Sequence, residues 1–425
     1  MDKLLIDGGQ SLAGAVKISA AKNSVLPMLC ASVMSSKGSV KLENVPHLQD
    51  VTTTTRLLTQ MGVSVTMDEF MNIDLDASTI HNLYAPYDLV KTMRSSILVL
   101  GPLLAKYGSA KVSLPGGCSI GSRPIDLHLN ALKKMGAKIN VKNGYIIASA
   151  KNGLKGSLIK FPKISVGATQ NILIASCFSK GKTKLRNCAS EPEVQDLINF
   201  LKKLGCKINK IGKRSIDVNG VVNLKSTMHT VVFDRIEAGT YIIAAAITNG
   251  RIKITNIDPK IISTEISLLG KMGVKIVKKK NYIIVTCPNK IKGINTETQP
   301  YPGFPTDLQA QIMVLMTKAE GISVIKENIF ENRFMHVSEL RRMGANIEVA
   351  GNRAKIYGGN QLYGAELMAT DLRASVSLVL AGLNAKEKTV INRIYHLDRG
   401  YEKIEKKLSN CGAYIRRLKW YLKKH

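Results

Sequence analysis

The sequence predicts an α/β fold made of six similar units of about 70 residues, three in each of two domains. A helix ending in Leu-x-x-[Met, Leu or Cys]-Gly occurs six times, at intervals of 68 to 74 residues. A small turn leading into an alternating strand recurs in step with it. Units of this length fit small βαβ-type modules better than solenoid turns, so we expect two similar globules with a cleft between them.

The first marker predicts where each helix ends. Glycine adopts the left-handed conformation that commonly follows the last helical turn, and a strand can then start directly after it. Most of these glycines precede a short β-branched strand, such as Val63-Ser64-Val65 or Val274-Lys275-Ile276. The six glycines are Gly62, Gly136, Gly205, Gly273, Gly344 and Gly412.

The second marker predicts one further strand in each unit. Gly108-Ser109-Ala110-Lys111-Val112 and Gly250-Arg251-Ile252-Lys253-Ile254 are two of its six copies. Apolar and polar residues alternate in these segments, so one face of each strand should be buried and the other wet or covered. The remaining copies begin at Lys37, Gly181, Gly321 and Glu387.

The composition indicates a folded protein without a membrane segment. The chain has 425 residues, of which 45% are hydrophobic. The N-terminal segment 1–10 has no apolar core of signal-peptide length. The longest apolar run, 96–105, is interrupted by Gly101 and Pro102 and is far shorter than the ~20 residues of a spanning helix. We therefore expect a soluble, cytoplasmic protein with no membrane insertion.

The formal net charge of +30 has two interpretations. It could reflect a polyanionic partner, because lysine and arginine contacts to phosphates dominate nucleic-acid affinity. However, the lysines are spread along the chain, and the aromatic residues, 5% of the total, do not interleave with them as a stacking platform would. A lysine-rich solvated surface is favoured, and no specific nucleic-acid partner is expected.

The seven cysteines form neither a disulfide framework nor a zinc site. They are odd in number, scattered and never spaced as CxxC. Cys30, Cys177, Cys206 and Cys287 lie among apolar neighbours and are predicted to be core residues. The seven histidines show no HExxH or other ligand pair. We predict no metal and no cofactor.

The segment 114–124 carries a cysteine on unusual backbone. Gly116 and Gly117 precede Cys118, Arg123 follows five residues after the cysteine, and prolines lie near both ends. Glycine allows the chain to approach a ligand closely, and proline restricts the ends of the loop. A thiol near a guanidinium group suits chemistry, whereas the simpler alternative is a turn around a small buried residue.

Three polar clusters precede apolar helices. Lys22 with Asn23, Arg94, and the small residues of 165–169 each lie where a helix is predicted to begin. Backbone N–H groups at a helix N-terminus attract anions, so these positions suit a phosphate or a sugar. A solvated helical turn explains Lys22 and Asn23 equally well on local grounds.

The segment 301–309 places an acid at another helix start. Thr306 and Gln309 match a capping box, which would put Asp307 in the first helical turn with its carboxylate directed outward. A carboxylate there complements the helix dipole, and the same dipole makes it a weaker base.

Three further arginines each have an acid nearby in the sequence. They are Arg333 after Glu331, Arg373 after Asp371, and Arg399 after Asp398. A local ion pair that stabilises a turn explains any one of them. Together with Arg94 and Arg123 they fall at element edges, and guanidinium groups suit phosphate and carboxylate recognition. A site lined in this way would take a small, multiply anionic substrate.

Several of these segments together resemble one known family. Pro115-Gly116-Gly117-Cys118-x-Ile120-Gly121-x-Arg123-Pro124-x-Asp126-Leu127-His128 is similar to the active-site loop of the enolpyruvyl transferases that act on UDP-N-acetylglucosamine, within the EPSP synthase family. The similarity covers nearly the whole chain, in order. It continues through the motifs Ala21-Lys22-Asn23, Ser165-Val166-Gly167-Ala168-Thr169, Phe304-Pro305-Thr306-Asp307, Phe330-Glu331-Asn332-Arg333-Phe334-Met335-His336, Ala369-Thr370-Asp371-Leu372-Arg373-Ala374 and Asp398-Arg399-Gly400-Tyr401-Glu402.

The resemblance implies two inside-out α/β barrels, each made of three βαβαββ units. The first domain would span residues 22–231 and carry the Cys118 loop as a lid. The second would combine residues 1–21 with 232–425, and the active site would lie in the cleft between the two domains. The implied partners are the small-molecule substrates phosphoenolpyruvate and UDP-N-acetylglucosamine.

The resemblance also implies a reaction, transfer of the enolpyruvyl group to the 3′-hydroxyl of the nucleotide sugar with release of phosphate. Catalysis would use Cys118, Asp307, Lys22 and Arg399, with Cys118 protonating the enolpyruvate carbon and reacting with the epoxide fosfomycin. Phosphoenolpyruvate would bind Lys22, Asn23, Arg94, Arg123 and Arg399. UDP-N-acetylglucosamine would bind Asn23, Arg94, Arg123, Pro124, Ile125, Asp126, Leu127, Ser165, Val166, Gly167, Asp307 and Ile329. Arg333 and Arg373 would support the site.

Two other functions remain open at this point. A sister enolpyruvyl transferase acts on shikimate 3-phosphate, but its loops are not expected to carry Pro-Gly-Gly-Cys. A binding or regulatory protein on the same fold should have lost at least one site residue, whereas Lys22, Cys118, Arg123, Asp307 and Arg399 are all present.

Overall fold

The chain folds into two compact units. The computed structural model describes residues 2–35, 38–91, 93–114, 125–288 and 290–419, and for Arg94 only the main chain. Within these ranges the first unit comprises residues 20–232, and the second comprises residues 2–19 and 233–419. The predicted residues Cys118, Arg123 and Pro124 lie outside the described ranges. No helix in the described part of the chain is long and apolar enough to cross a membrane.

Strands and helices alternate through both units, and both are numbered here in chain order. The strands are β1 Lys3–Asp7, β2 Ala13–Lys17, β3 Val40–Glu43, β4 Ser64–Met67, β5 Ile73–Asp76, β6 Tyr84–Ala85, β7 Ser109–Ser113, β8 Lys138–Lys142, β9 Tyr145–Ser149, β10 Leu158–Lys160, β11 Lys182–Arg186, β12 Lys207–Gly212, β13 Ser215–Asn219, β14 Thr227–Thr230, β15 Arg251–Thr255, β16 Lys275–Lys278, β17 Tyr282–Thr286, β18 Asn295–Glu297, β19 Ile322–Lys326, β20 Asn346–Ala350, β21 Arg353–Tyr357, β22 Glu366–Met368, β23 Lys388–Asn392 and β24 Tyr414–Leu418. The helices are α1 Lys22–Ser32, α2 Gln49–Gln60, α3 Tyr87–Val90, α4 Leu100–Tyr107, α5 Asp126–Lys134, α6 Val166–Ser176, α7 Pro192–Lys203, α8 Arg235–Ile247, α9 Ser263–Lys271, α10 Gln309–Lys318, α11 Val337–Arg342, α12 Leu372–Asn384 and α13 Ile404–Ser409. Short 3₁₀ helices cover Arg94–Val99, Thr306–Leu308 and Ile394–Arg399.

The described strands form six four-stranded sheets, three in each unit. The sheets of the first unit have the strand orders β14-β3-β5-β4, β6-β7-β9-β8 and β10-β11-β13-β12. Those of the second unit are β2-β15-β17-β16, β18-β19-β21-β20 and β22-β23-β1-β24. In each sheet the first two strands run parallel and the other pairs antiparallel, as in β6-β7 and β7-β9. The prediction of six α/β units is confirmed.

Strands far apart in sequence complete some of these sheets. β1 pairs with both β23 and β24, and β2 runs parallel to β15. In the first unit β14 runs parallel to β3. Sheets of the second unit therefore combine the N-terminal strands with strands from beyond residue 250, and this pairing fixes which segments share a core.

The six repeated glycines end their helices as predicted. Their φ angles lie between 90° and 104°, in the left-handed region that glycine adopts without steric cost. After each of the six glycines a strand begins two residues later, from β4 at Ser64 to β24 at Tyr414. The helix end, the glycine and the following strand therefore form one local element that the sequence predicts.

The central helices are buried and the sheets lie outside them. Every residue of α8 is buried, and so are eleven of the thirteen residues of α12. A helix that is apolar on all sides is stable only when other elements surround it. The strands instead alternate, with lysines on the outer face, such as Lys253 with its ammonium nitrogen 4.4 Å from the centre of the Tyr282 ring. This arrangement is the inside-out α/β architecture.

Candidate functional site

Lys22 is the first residue of α1 and forms a buried ion pair. Its Nζ atom lies 3.2 Å from Oδ2 of Asp50, and the two side chains are 12% and 6% exposed. Asp50 lies in the first turn of α2, where the helix dipole favours a negative charge. The solvated-turn alternative is therefore wrong for Lys22, because its ammonium group is positioned by a buried carboxylate.

A side chain of α6 joins this helix to the first turn of α1. Nε2 of the buried Gln170 donates to the main-chain oxygen of Asn23 at 3.0 Å. Ser165 caps α6, since its hydroxyl accepts from the main-chain N–H of Ala168 at 3.3 Å. Ser165, Val166 and Gly167 thus form the N-terminus of an eleven-residue helix, a position that suits an anionic or polar ligand.

Beside this helix end lies His128, and its hydrogen bond with Asn171 indicates which ring nitrogen carries the proton. Asn171 accepts from the main-chain N–H of Gly101 at 2.9 Å, which identifies its oxygen. Its amide nitrogen, which can only donate, lies 2.9 Å from Nδ1 of His128. Nδ1 therefore accepts, and the proton of the imidazole is on Nε2. The His128 ring lies against Gly167, where an added Cβ would be 3.5 Å from it.

The other predicted nucleotide residues of this unit surround the start of α5. Ile125 directly precedes the helix and is half-buried, and Asp126 is exposed in the first turn. Leu127 lines a cavity of about 510 Å³ together with Ala131, Phe161 and Pro162. Two of its lining residues are close in sequence to predicted ligand contacts: Leu127 follows Asp126, and Pro162 lies shortly before Ser165, the cap of α6.

Asp307 in the second unit is bound by two arginines. Its Oδ1 accepts from Nη2 of Arg333 and its Oδ2 from Nη2 of Arg373, both at 2.7 Å. The two arginine side chains are 4% and 8% exposed, while that of Asp307 is 26% exposed. The local ion-pair interpretation is wrong for these two arginines, because Arg333 from the segment before α11 and Arg373 from α12 both bind Asp307 in the 3₁₀ helix before α10.

This cluster carries a net positive charge. Burial alone would lower the pKa of Arg373, but the neighbouring Asp307 carboxylate outweighs that effect and the pKa is raised. The Arg373 guanidinium group therefore stays charged, and arginine side chains in general are not deprotonated in proteins. The arrangement favours an anionic ligand, and it keeps Asp307 ionised with both of its oxygens already in use.

The predicted capping box is not formed. The Thr306 hydroxyl donates instead to Oε2 of the buried Glu327 at 2.9 Å, and the amide of Gln309 is buried without a partner among the described residues. Glu327 also accepts from the main-chain N–H of Ile329 at 2.8 Å. A buried acid on a neighbouring loop thus outcompetes the local cap, and it connects the Asp307 segment to the predicted sugar contact Ile329.

Arg399 ends the 3₁₀ helix Ile394–Arg399 and is half-buried. Burial and the nearby charge of Arg399 lower the pKa of His396, so this histidine is neutral near pH 7. Asp398 does not pair locally. Its two oxygens accept from Arg417 at 2.6 and 3.0 Å.

Comparison with known proteins settles the family. A family model described as EPSP synthase (3-phosphoshikimate 1-carboxyvinyltransferase) matches residues 6–408. The chain belongs to the EPSP synthase family. It is a transferase by this membership, and the sequence resemblance to enolpyruvyl transferases is confirmed.

Curated relatives of this EPSP synthase family member are similar over their whole length. The UDP-N-acetylglucosamine 1-carboxyvinyltransferase of Pelagibacter ubique is 57% identical over 418 residues, which cover 98% of this chain and all of the relative. The enzyme of the same name from Rickettsia bellii is 52% identical over 421 residues, with the same coverage.

Solved structures of the family share the fold. The enolpyruvyl transferase NikO from Streptomyces tendae superposes with a TM-score of 0.90 at 25% identity, over 99% of both chains. EPSP synthase from Acinetobacter baumannii superposes with a TM-score of 0.76 at 19% identity, over 99% of this chain and all of the other.

Sequence reasoning missed several polar residues that position the site of this family member. They are Asp50, Asn171 and Glu327. Asn171 lies in a largely apolar helix, and a polar residue at such a position is a usable signal for a buried hydrogen bond. Asp50 and Glu327 provided no such signal, because an acid at a helix start or strand end is also common on the surface.

Proposed function

We propose that the chain transfers the enolpyruvyl group of phosphoenolpyruvate to the 3′-hydroxyl of UDP-N-acetylglucosamine and releases phosphate, the first committed step of peptidoglycan biosynthesis. The observation that carries this proposal is the 57% identity, over nearly all of both chains, with the Pelagibacter ubique enzyme named for this reaction. Two structures of EPSP synthase from Acinetobacter baumannii are 19% and 18% identical to this chain, which supports a common fold and not a common acceptor.

The charge of the substrate phosphoenolpyruvate suits the predicted cationic residues. Phosphoenolpyruvate carries a phosphate and a carboxylate, and Lys22, Asn23, Arg94, Arg123 and Arg399 are proposed to bind them. A fixed charge stabilises the departing phosphate without reorganising during the reaction. Asp50 supports this role of Lys22, because it positions the ammonium group at a buried site.

The product keeps the vinyl group, so a proton that is added to C3 during the reaction must later be removed from it. As the sugar oxygen bonds to C2 of phosphoenolpyruvate, C3 takes up a proton. When the bond from C2 to the phosphate oxygen breaks, C3 loses a proton and the double bond is restored. Cys118 is the proposed donor, since a thiol near arginine or lysine exchanges protons readily near neutral pH.

Asp307 is proposed to contact the attacking hydroxyl. Its two oxygens each accept from a guanidinium group, so the carboxylate is fixed in orientation and is a weak base before the attack begins. We propose that it orients the 3′-hydroxyl and takes its proton as the new bond forms. The nucleotide sugar is proposed to bind Asn23, Arg94, Arg123, Pro124, Ile125, Asp126, Leu127, Ser165, Val166, Gly167 and Ile329.

The test is phosphate release from phosphoenolpyruvate with either UDP-N-acetylglucosamine or shikimate 3-phosphate as acceptor. Wild type should release phosphate with the nucleotide sugar alone, and Cys118→Ala should lose most of that activity. Release with shikimate 3-phosphate would assign the chain to the sister reaction that the family model describes. Release with neither acceptor, from a folded sample, would contradict enolpyruvyl transfer altogether.

Thiol alkylation tests the role of Cys118 separately. The other six cysteines are buried, and burial raises the pKa of Cys30 and Cys188 to about 12, which keeps these thiols protonated. Iodoacetamide at pH 7.5 should therefore modify one residue of the native protein, Cys118, and none in Cys118→Ala. Peptide mass spectrometry identifies the site, and modification of a different cysteine in wild type would argue against a reactive Cys118.

A further inference from the structure

Tyr401 follows Arg399 and Gly400 in one of the motifs shared with the family, and the proposed reaction gives it no role. It lies in the second unit with its side chain buried. Three polar atoms surround its hydroxyl oxygen, Oγ1 of Thr240 at 2.9 Å, Nε2 of Gln311 at 3.3 Å and Nη1 of Arg373 at 3.4 Å. Burial raises the pKa of Tyr401, so the phenol is neutral at physiological pH.

The direction of each hydrogen bond follows from the atoms involved. The Thr240 hydroxyl lies 2.8 Å from the main-chain oxygen of Ile236, which can only accept, so the Thr240 proton is used there. Tyr401 therefore donates its own proton to Thr240. The phenol oxygen accepts from Nη1 of Arg373 and from Nε2 of Gln311, which lies 3.3 Å from both this oxygen and Oγ1 of Thr240.

Both donors to Tyr401 also bind Asp307. Nη2 of Arg373 donates to Oδ2 of Asp307 at 2.7 Å, and Nε2 of Gln311 donates to the Asp307 main-chain oxygen at 2.9 Å. The Tyr401 hydroxyl is thus linked to Asp307 in two ways, through Arg373 to the carboxylate and through Gln311 to the main-chain oxygen. In a buried site, such a network restricts each side chain to one orientation.

Tyr241 provides a matched contrast within the same unit. It is as buried as Tyr401, and its hydroxyl has no hydrogen-bond partner among the described residues. A tyrosine retained only for packing would resemble Tyr241. The bonds of Tyr401 therefore point to a task for the hydroxyl itself.

We propose that Tyr401 is a positioning residue for the enolpyruvyl transfer, and that its hydroxyl fixes Arg373 and, through Arg373, the carboxylate of Asp307. This inference rests on the proposed function, since the task of Asp307 does. Without the hydroxyl, Arg373 can turn away from Asp307, and the carboxylate then loses both its orientation and part of its stabilising charge.

The kinetic test compares Tyr401→Phe with Tyr241→Phe. Tyr401→Phe should lower kcat about tenfold and leave KM for phosphoenolpyruvate within about twofold, because orientation of the acceptor matters in the transition state. Tyr241→Phe should match wild type. Thr240→Val removes the acceptor of the Tyr401 proton and should lower kcat as Tyr401→Phe does. If Tyr401→Phe does not fold, Thr240→Val provides the test. Equal kcat values for Tyr401→Phe, Thr240→Val and wild type would overturn the proposal.

A second readout does not depend on turnover. The carboxyl ¹³C signal of Asp307, assigned by its loss in Asp307→Asn, reports the protonation of that group. Its titration midpoint should rise by about half a pH unit in Tyr401→Phe and Thr240→Val, because a displaced arginine stabilises the carboxylate less. An unchanged midpoint would overturn the positioning role. If wild type fails to use UDP-N-acetylglucosamine, the proposed function fails, and this titration still decides the role of Tyr401.

Discussion

Lys22 and Asp307 are both ionic residues whose partners lie far away in the sequence. Asp50 is 28 residues from Lys22, and Arg373 is 66 residues from Asp307. In each case buried groups of opposite charge satisfy one another, because a buried charge without a partner is costly. Each side chain is thereby positioned in advance, which reduces the reorganisation needed when a substrate binds.

Removal of the Asp50 charge should weaken binding of phosphoenolpyruvate. Asp50→Asn leaves the Lys22 ammonium without its carboxylate, and we expect KM for phosphoenolpyruvate to rise about tenfold, the cost of one charge-assisted hydrogen bond. The matched control is Asp88→Asn, whose 2.9 Å pair with Lys91 is exposed to solvent. Steady-state kinetics check the prediction, and equal KM values for the two variants would contradict it.

Removal of the Asp307 carboxylate should lower the stability of the fold as well as the activity. Asp307→Ala leaves two buried guanidinium groups without their shared acceptor, and we expect a loss of about 3 kcal/mol in the free energy of unfolding. Asp398→Ala, which breaks a more exposed pair with Arg417, should cost about 1 kcal/mol or less. Urea denaturation followed by circular dichroism compares them, and a similar loss in both variants would be inconsistent with this account.

The six helix-glycine-strand elements show how local chemistry specifies repeated structure. In each of the six repeats the glycine ends the helix in a left-handed conformation, and the following strand becomes part of a sheet. Other glycines serve a different purpose. Gly101 in α4 allows close approach of α6, since an added Cβ would overlap the side-chain oxygen of Asn171. The two kinds of glycine therefore differ in what a methyl group would disturb.

Alanine substitution should separate these two kinds of glycine. Gly136 has a φ of 94° and open space around it, so Gly136→Ala should cost about 1 to 2 kcal/mol through backbone strain alone. Gly101→Ala should cost more, about 3 kcal/mol, because α4 and α6 must move apart and the Asn171 hydrogen bonds are disturbed. Thermal unfolding ranks the two variants, and a larger loss for Gly136→Ala would refute this explanation.

Stability of the whole molecule depends on pH through a buried histidine. His336 is buried beside Asp371 and Arg333, and burial is the main cause that lowers its pKa from 6.5 to about 4. Between these two values the unfolded chain binds a proton that the folded chain does not. The stability that His336 contributes is therefore present in full above pH 6.5 and is lost as the pH falls towards 4.

Replacement of this histidine should flatten the pH dependence. A shift of this size corresponds to about 3 kcal/mol of unfolding free energy across the window from pH 6.5 to 4. In His336→Gln that part of the decline should disappear, whereas His81→Gln, at an exposed histidine, should keep it. Denaturant unfolding at several pH values provides the measurement, and parallel curves for wild type and His336→Gln would show that His336 is not responsible.

Much of the fold of the whole molecule could be predicted because its signals are local. Strand alternation and the terminal glycines depend on residues within a few positions of one another, which is why six units can be counted in the amino-acid sequence alone. The choice of Lys22 and Asp307 came from motifs of the same local kind. The capping box at Thr306 failed for a non-local reason, since the buried Glu327 carboxylate binds the Thr306 hydroxyl instead.

The six α/β repeats, the ends of the repeated helices and the family resemblance can all be predicted from the amino-acid sequence. The pairs of charged side chains that meet in the folded protein depend on its packing. Arg333 and Arg373 have acids two residues away, yet both bind Asp307, at separations of 26 and 66 residues. The physical reason is that helix and turn signals act through the backbone over a few residues, whereas buried ion pairs form wherever packing places groups that must be satisfied out of water.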